Sequence, residues 1–266
     1  MNEIHPSAVV AKGAELDGAH IGPFCIIGDM VRIGKGTRLI SHVFVDGDTS
    51  FGPDNTIFPF ASIGAAPQDL KYGNEASRVR IGAGNQIRES VTIHRGTESG
   101  HMETRIGDHN MIMAYAHIAH DCVVGNRVVL ANGVQLAGHV EVADHVIMGG
   151  LAAVHQFCRV GTRAFVSAGS MMSLDAPPYC VAEGRRAKIA GLNVIGLQRA
   201  GFDKERLSAI KRVYKDYFAP GRSKEERLAA LTPGATPDVM VFLDFIRASQ
   251  RGVMFPLRRG AESDQG

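Results

Sequence analysis

Residues 106–148, "IGDHNMIMAYAHIAHDCVVGNRVVLANGVQLAGHVEVADHVIM", place an aliphatic residue at every sixth position: Ile106, Ile112, Ile118, Val124, Leu130, Leu136, Val142 and Met148. The phase continues through Val154, Val160 and Val166 to Met172, and an earlier run, Ile21, Ile27, Ile33, Leu39, Val45, Phe51, Ile57 and Ile63, keeps the same spacing. Neither a helical period nor simple alternation yields a repeat of six. Glycine often follows the aliphatic residue, as at Gly22, Gly28, Gly34, Gly52, Gly107, Gly125 and Gly161, and a small or β-branched residue sits four positions on, as at Ala116, Val128, Val134, Ala152 and Ala164. Short strands wound into a parallel β-helix account for this pattern. Each hexad supplies one flat side and one turn, with the large side chain inward and glycine expected at the corner.

The pattern resembles that of hexapeptide-repeat proteins, and the resemblance implies a left-handed triangular prism with three hexads per coil. Two segments interrupt the phase. Residues 64–80 and 94–105 put polar groups such as Asp69 and Glu75 where inward aliphatics belong, and both are read as loops leaving the prism. After Met172 the repeat fades, and Pro177-Pro178 marks a boundary. Helical spacing follows: Leu207, Ile210, Tyr214 and Tyr217 predict one helix, Ser223 with Glu226 caps a second, and Thr236-Pro237 opens a third carrying Val239, Phe242, Leu243 and Ile246. The expected organisation is therefore a mainly β fold, a left-handed parallel β-helix over 1–184, followed by a small α-helical C-terminal domain over 185–266 whose tail, "RRGAESDQG", is expected to be disordered.

Composition agrees with a chain that buries a core: 45% hydrophobic residues, 31 glycines and no tryptophan. The start, "MNEIHPSAVV", has neither a basic nor an apolar leader region, and no apolar run is long enough to span a bilayer. Four scattered cysteines form no CxxC pair, so a reduced, cytoplasmic protein is expected. The charge is unevenly spread. Residues 1–184 carry 13 Lys+Arg against 18 Asp+Glu, and residues 185–266 carry 16 against 9. A basic C-terminal part points to an anionic partner, or else to solvated helix faces.

The chemistry concentrates in "YAHIAHDCVVGN", residues 115–126, which could hold a metal site, a Cys-His pair or a His-Asp base. With three hexads per coil, positions 18 apart are vertical neighbours. Counted from Ile118, His120, His139 and His155 fall at phases 2, 3 and 1 on successive coils, and His94 joins them if the second excursion is excised. None takes an inward slot. Cys122, Cys158 and Cys25 do occupy the small inward slot, which argues against a nucleophile. Zinc needs three or four converging ligands, and no carboxylate is aimed between His117 and His120, so no metal and no cofactor is expected. The remaining reading is a histidine general base, His120, acting on a hydroxyl that attacks an activated acyl group, with the backbone N–H of Gly138 for the oxyanion. Asp121 is a weaker partner, because adjacent strand residues point apart.

The motifs "IGPFCIIG", "QDLKY", "IRESVTIHRGT", "AHIAHDC", "GNRVVLANGVQLAGHV", "AVHQFCRVG" and "PPYCVAEG" together resemble the UDP-N-acetylglucosamine O-acyltransferases of lipid A biosynthesis, from about residue 4 to residue 252. The resemblance implies a homotrimer with sites between adjacent prisms, moving an R-3-hydroxyacyl chain from acyl carrier protein to the 3-hydroxyl of the nucleotide sugar. It places the base at His120 and the oxyanion donor at Gly138, and it assigns sugar contact to Asp69 with Gln68 and Lys71 beside it. It lines the cleft with His94, His117, His139, His155 and Gln156. Asn193 and Arg199 match positions touching the donor arm and the phosphates, although Ile195 and Ala200 depart from the acidic residue and second arginine often found there. Ala168 falls at the acyl-length selector, often glycine, with simple core filling as the alternative. A related N-acyltransferase acting on an amino sugar nucleotide, or on a 3-amino variant of the same acceptor, is the alternative function. That enzyme normally carries an extra N-terminal domain, for which a repeat starting at Ile4 is expected to leave no room. A non-catalytic scaffold and a metal-dependent hexapeptide enzyme are the remaining readings.

Overall fold

The computed structural model describes residues 1–257; the expected disorder of the tail concerns 258–266 and lies outside the described residues. Three sheets of 11, 9 and 8 strands form the walls of a prism, and the chain visits them in turn. Met111–Ile112 lies on the first face, His117–Ile118 on the second and Val123–Val124 on the third, after which Val129–Leu130 returns to the first. Vertical partners are parallel and 18 residues apart through this stretch: Ile112 faces Leu130, Ile118 faces Leu136 and Val124 faces Val142. Inward aliphatics thus stack in columns. From Ile21 to Met172 those of both runs are at most 4% exposed, and the small slots at Ala116, Val128, Val134, Ala152 and Ala164 are closed as well. At about 25 cal/mol per Å² of apolar surface, this continuous column is the main driving force for the fold.

The glycines do different work from that expected. Left-handed backbone falls two residues later, at positions such as Phe24, Asp54, His109, Arg127 and Arg163, mostly without glycine. Glycine follows the aliphatic residue because the coils nearly touch there. A Cβ on Gly22 would lie 1.8 Å from the carbonyl oxygen of Ile40, and one on Gly161 would lie 2.3 Å from the nitrogen of Pro178.

Both excursions leave the same corner, between the second and third faces. The first joins Ser62–Ala65 to Arg78–Ile81 and the second joins Thr92–His94 to Glu103–Ile106. They are therefore shorter than the expected 64–80 and 94–105, because strand pairing recaptures their ends: Val79 pairs with Thr104 and both are buried. At the far end, Cys180–Glu183 and Lys188–Leu192 form an antiparallel hairpin that crosses the expected boundary at 184/185 and extends the first sheet. The helical part begins beyond it, with α1 (Val194–Arg199), α2 (Lys204–Tyr217), α3 (Lys224–Leu231) and α4 (Pro237–Arg247). The Ser223–Glu226 capping box is formed and Pro237 opens α4, as the sequence predicts, whereas α1 had no helical signal of its own. Leu207, Ile210, Val213 and Tyr217 of α2 pack against Phe242, Leu243 and Ile246 of α4 in one core.

Candidate active site

The corner that sends out both loops also carries the histidines. His120 follows strand His117–Ile118, and Asp121 turns the corner with φ +58°. That left-handed residue overturns the expectation that Asp121 points away. A pleated strand would send the two side chains to opposite faces, but the corner swings the carboxylate back, and His120 Nδ1 lies 2.9 Å from Asp121 Oδ2. His120 lies outside the inward column of Ile118, but it is not an exposed residue: its side chain is only 15% exposed and lies against Gly138, where a Cβ would come within 2.5 Å of the ring. Glycine at 138 makes room for the imidazole.

Asp121 is itself buried, at 1% exposure. Burial pushes its pKa up, but hydrogen bonds from His120, from the hydroxyl and backbone N–H of Thr97 and from the backbone N–H of His101 outweigh it and hold the pKa at about 2. An ionised carboxylate can only accept, so the bond to it is donated by His120 Nδ1, which in a neutral imidazole makes Nε2 the acceptor nitrogen. His120, Asp121 and His139 bring ligand atoms within 4.8 Å of one another. The carboxylate oxygens, however, already receive Thr97 Oγ1 at 2.6 Å, His101 N at 2.8 Å, Thr97 N at 3.0 Å and His120 Nδ1 at 2.9 Å. A cation at this carboxylate would have to compete with these four bonds.

The other histidines gather as predicted. The register aligns His94, Ala119, Ala137 and His155 in one column, and the His94 and His117 rings meet edge to face at 4.9 Å. His94 leaves the inward slot to Ile93 but is covered nonetheless: it is 6% exposed, with Nδ1 buried and unpartnered. Burial, then the charges of His117 and His120, lower its pKa to about 4. His117 is also lowered by burial, and Thr92 Oγ1 holds its Nδ1 at 2.7 Å. His139 meets His120 edge to face at 5.0 Å and stacks on Phe157 at 4.4 Å. Burial lowers its pKa, opposed by the nearby charges of Asp121 and Asp69. His155 and Gln156 are exposed at the next coil.

Asp69 sits in the first loop, where one carboxylate oxygen accepts from Lys71 N and forms an Asx turn, while Gln68 and Lys71 are exposed. The sequence reading missed how the loops are joined. Glu75 accepts from Glu98 N at 3.0 Å, and Arg95 Nε donates to the Tyr72 hydroxyl at 2.8 Å. Pairing between loops distant in sequence leaves no periodic signal. Cys122 is buried, its thiol pushed up to about 12, as its inward slot implied.

Three positions lie away from His120. Asn193 caps α1, accepting from Gly196 N at 3.1 Å and donating to Arg163 O at 3.0 Å, so its amide is committed within the chain. Arg199 ends the same helix and is exposed. Ala168 is exposed at the corner between the first and second faces, which rules out core filling. The same corner carries Phe24, Phe60, Tyr115 and Leu151, each 58–70% exposed. Beyond His155 an open cavity of about 1300 Å³ is lined by Met171, Met172, Leu174, Arg185, Arg186 and others.

A three-sided hexad coil with a histidine–aspartate pair at its looped corner defines a hexapeptide-repeat transferase, and a family profile described as "Bacterial transferase hexapeptide (six repeats)" matches residues 103–138. A second profile, described as "Udp N-acetylglucosamine O-acyltransferase; Domain 2", matches residues 175–254. A solved UDP-N-acetylglucosamine acyltransferase is 42% identical, covering 96% of this chain and 100% of its own at a TM-score of 0.94. The O-acyltransferase from Moraxella catarrhalis is 44% identical over 94% of this chain and 99% of its own, TM-score 0.92, and the acyltransferase from Francisella novicida is 39% identical over 98% and 100%, TM-score 0.92. The chain belongs to the UDP-N-acetylglucosamine O-acyltransferase family, and its prism is a left-handed parallel β-helix.

Proposed function

We propose that this chain transfers an R-3-hydroxyacyl group from acyl carrier protein to the 3-hydroxyl of UDP-N-acetylglucosamine, the first step of lipid A biosynthesis, with His120 as general base. The observation that carries this reading is the His120 imidazole held through Nδ1 by Asp121 at 2.9 Å, at the corner shared by both loops. Nε2 takes the proton of the sugar hydroxyl as its oxygen attacks the thioester carbonyl. The new C–O bond forms and the carbonyl pair moves to oxygen, where the N–H of Gly138 can donate. The intermediate collapses with cleavage of the C–S bond, and the imidazolium returns its proton to the departing thiolate. Ionised Asp121 stabilises the imidazolium throughout, and Asp69 supplies a sugar contact from the first loop.

Assembly as a homotrimer belongs to the same proposal. Ala168 and the apolar stripe share a corner remote from His120 in one copy, and packing that corner against the looped corner of the next would bring them together. The basic C-terminal part supports docking of an acidic carrier protein: Lys204, Lys211, Arg212 and Lys215 are exposed, whereas Arg206 is held by Asp238 at 2.7 Å and 2.8 Å. No described helix is long and apolar enough to cross a membrane, and a cytoplasmic location is proposed with the carrier. The N-acyltransferase alternative is not favoured, since the Moraxella catarrhalis relative and the profile over residues 175–254 are both described as O-acyltransferases. The test offers mixed acyl-carrier thioesters and UDP-N-acetylglucosamine and analyses products by mass spectrometry. An alkali-labile ester is expected; no product with this acceptor, beside amide formation when its 3-amino analogue is offered, would overturn the reading.

A further inference from the structure

Asp121 is held by more of the second loop than a partner for one imidazole requires. The loop wraps round its carboxylate so closely that a Cβ on Gly100 would lie 2.2 Å from the carboxyl carbon, and one on Gly96 would lie 2.9 Å from Oδ1. Neither glycine is in the left-handed region, so both are there for the close approach. Thr97 is 2% exposed and sends both its donors to this group: Oγ1 at 2.6 Å and N at 3.0 Å from Oδ2. His101 N completes the cradle at 2.8 Å from Oδ1, and on the other side Asp121 N donates to Thr104 Oγ1 at 2.8 Å.

We propose that Thr97 is a positioning residue for acyl transfer: its hydroxyl and N–H, with the N–H of His101, clamp the Asp121 carboxylate and thereby aim His120. Without the clamp, the carboxylate could rotate about its side-chain bond or draw in water. The imidazole would then lose its fixed direction over Gly138. Thr97 touches neither substrate nor the transferred proton in this scheme; it acts through Asp121. The clamp also ties the base to the acceptor loop, because Glu98, the next residue, donates its N–H to Glu75 at 3.0 Å. The proposal rests on the His120 reading above and deepens it.

The test compares Thr97→Val, Thr97→Ala and Thr97→Ser, alone and combined with Asp121→Asn, in the full-length protein. Misdirecting a catalytic group by a fraction of an ångström lowers turnover by about 10-fold or more. Thr97→Val and Thr97→Ala are expected to lower kcat to that extent with little change in KM, and Thr97→Ser to restore it. Added to Asp121→Asn, Thr97→Ala should cause no further loss, since coupled residues do not act additively. Selective ¹⁵N-histidine labelling supplies a readout without substrate: the low-field Nδ1 proton of His120 should broaden or move in Thr97→Ala and reappear in Thr97→Ser. If Thr97→Val does not fold, the Ala–Ser pair decides alone. Unchanged kcat and an unchanged Nδ1 signal beside a lowered Tm would reduce Thr97 to a packing residue and overturn the proposal. Absence of transfer in the wild type would defeat the function reading but leave the nuclear resonance test of the clamp intact.

Discussion

His94 should make stability fall steeply in mild acid, because the folded protein refuses it a proton. Its ring is 6% exposed with no partner for Nδ1, and burial, with the charges of His117 and His120, lowers its pKa from 6.5 to about 4. Between those values the unfolded chain binds a proton here that the folded chain does not. Stability contributed by the neutral ring is therefore full above 6.5 and declines as pH falls towards about 4. At about 1.36 kcal/mol per pH unit, moving from about pH 7 to about pH 5 should cost about 2 kcal/mol through this residue, with a limit of about 3 kcal/mol in stronger acid. The measurement is urea unfolding of the wild type and of His94→Gln at both pH values, at one fixed protein concentration so that any self-association weighs equally on both. Other titrating groups are common to both proteins and cancel in the comparison. The wild type should lose about 2 kcal/mol more than the variant. Equal losses, within about 0.5 kcal/mol, would show that the buried ring is protonated in the fold and would refute the reasoning.

His120→Ala should lower kcat by about 10²–10⁴-fold, and because the ring packs on Gly138 and partners buried Asp121 it should also cost about 1–3 kcal/mol of stability; near-normal turnover would sink the base assignment. Gly138→Ala puts a methyl group 2.5 Å from the His120 ring, so turnover should drop by about 100-fold while the coil persists by circular dichroism, and an active variant would contradict the packing. Cys122→Ala should keep most activity and a chelator should have no effect, whereas inactivation by EDTA that zinc reverses would restore a metal to the mechanism. Reversing charge at Lys211 and Arg212 should raise KM for the protein-bound donor and flatten its dependence on ionic strength, with the nucleotide sugar less affected; a donor KM indifferent to both salt and reversal would remove this surface from docking.

The hexad run decided the architecture in advance because a coil that stacks on itself must place an apolar side chain inward at every side, and that requirement is written locally and repeatedly from Ile21 to Met172. The inward cysteines, the capping box at Ser223 and the proline opening α4 were legible for the same reason: each depends on neighbours in sequence. The gathering of His94, His120, His139 and His155 at one corner needed only the count of 18 residues per coil, which the resemblance supplied. What the linear chain could not show was direction at the corners. Asp121 reaches His120 only because a left-handed residue reverses the strand rule, and Gly138 matters to the His120 ring because the next coil lies within a methyl group of it. The clamp of Thr97 and His101 on Asp121, and the bonds joining the two loops, connect segments 20 to 24 residues apart through irregular backbone that carries no period. Repetition determined the scaffold from sequence alone; the orientation of the His120–Asp121 pair arises where repetition stops, and only tertiary structure decides it.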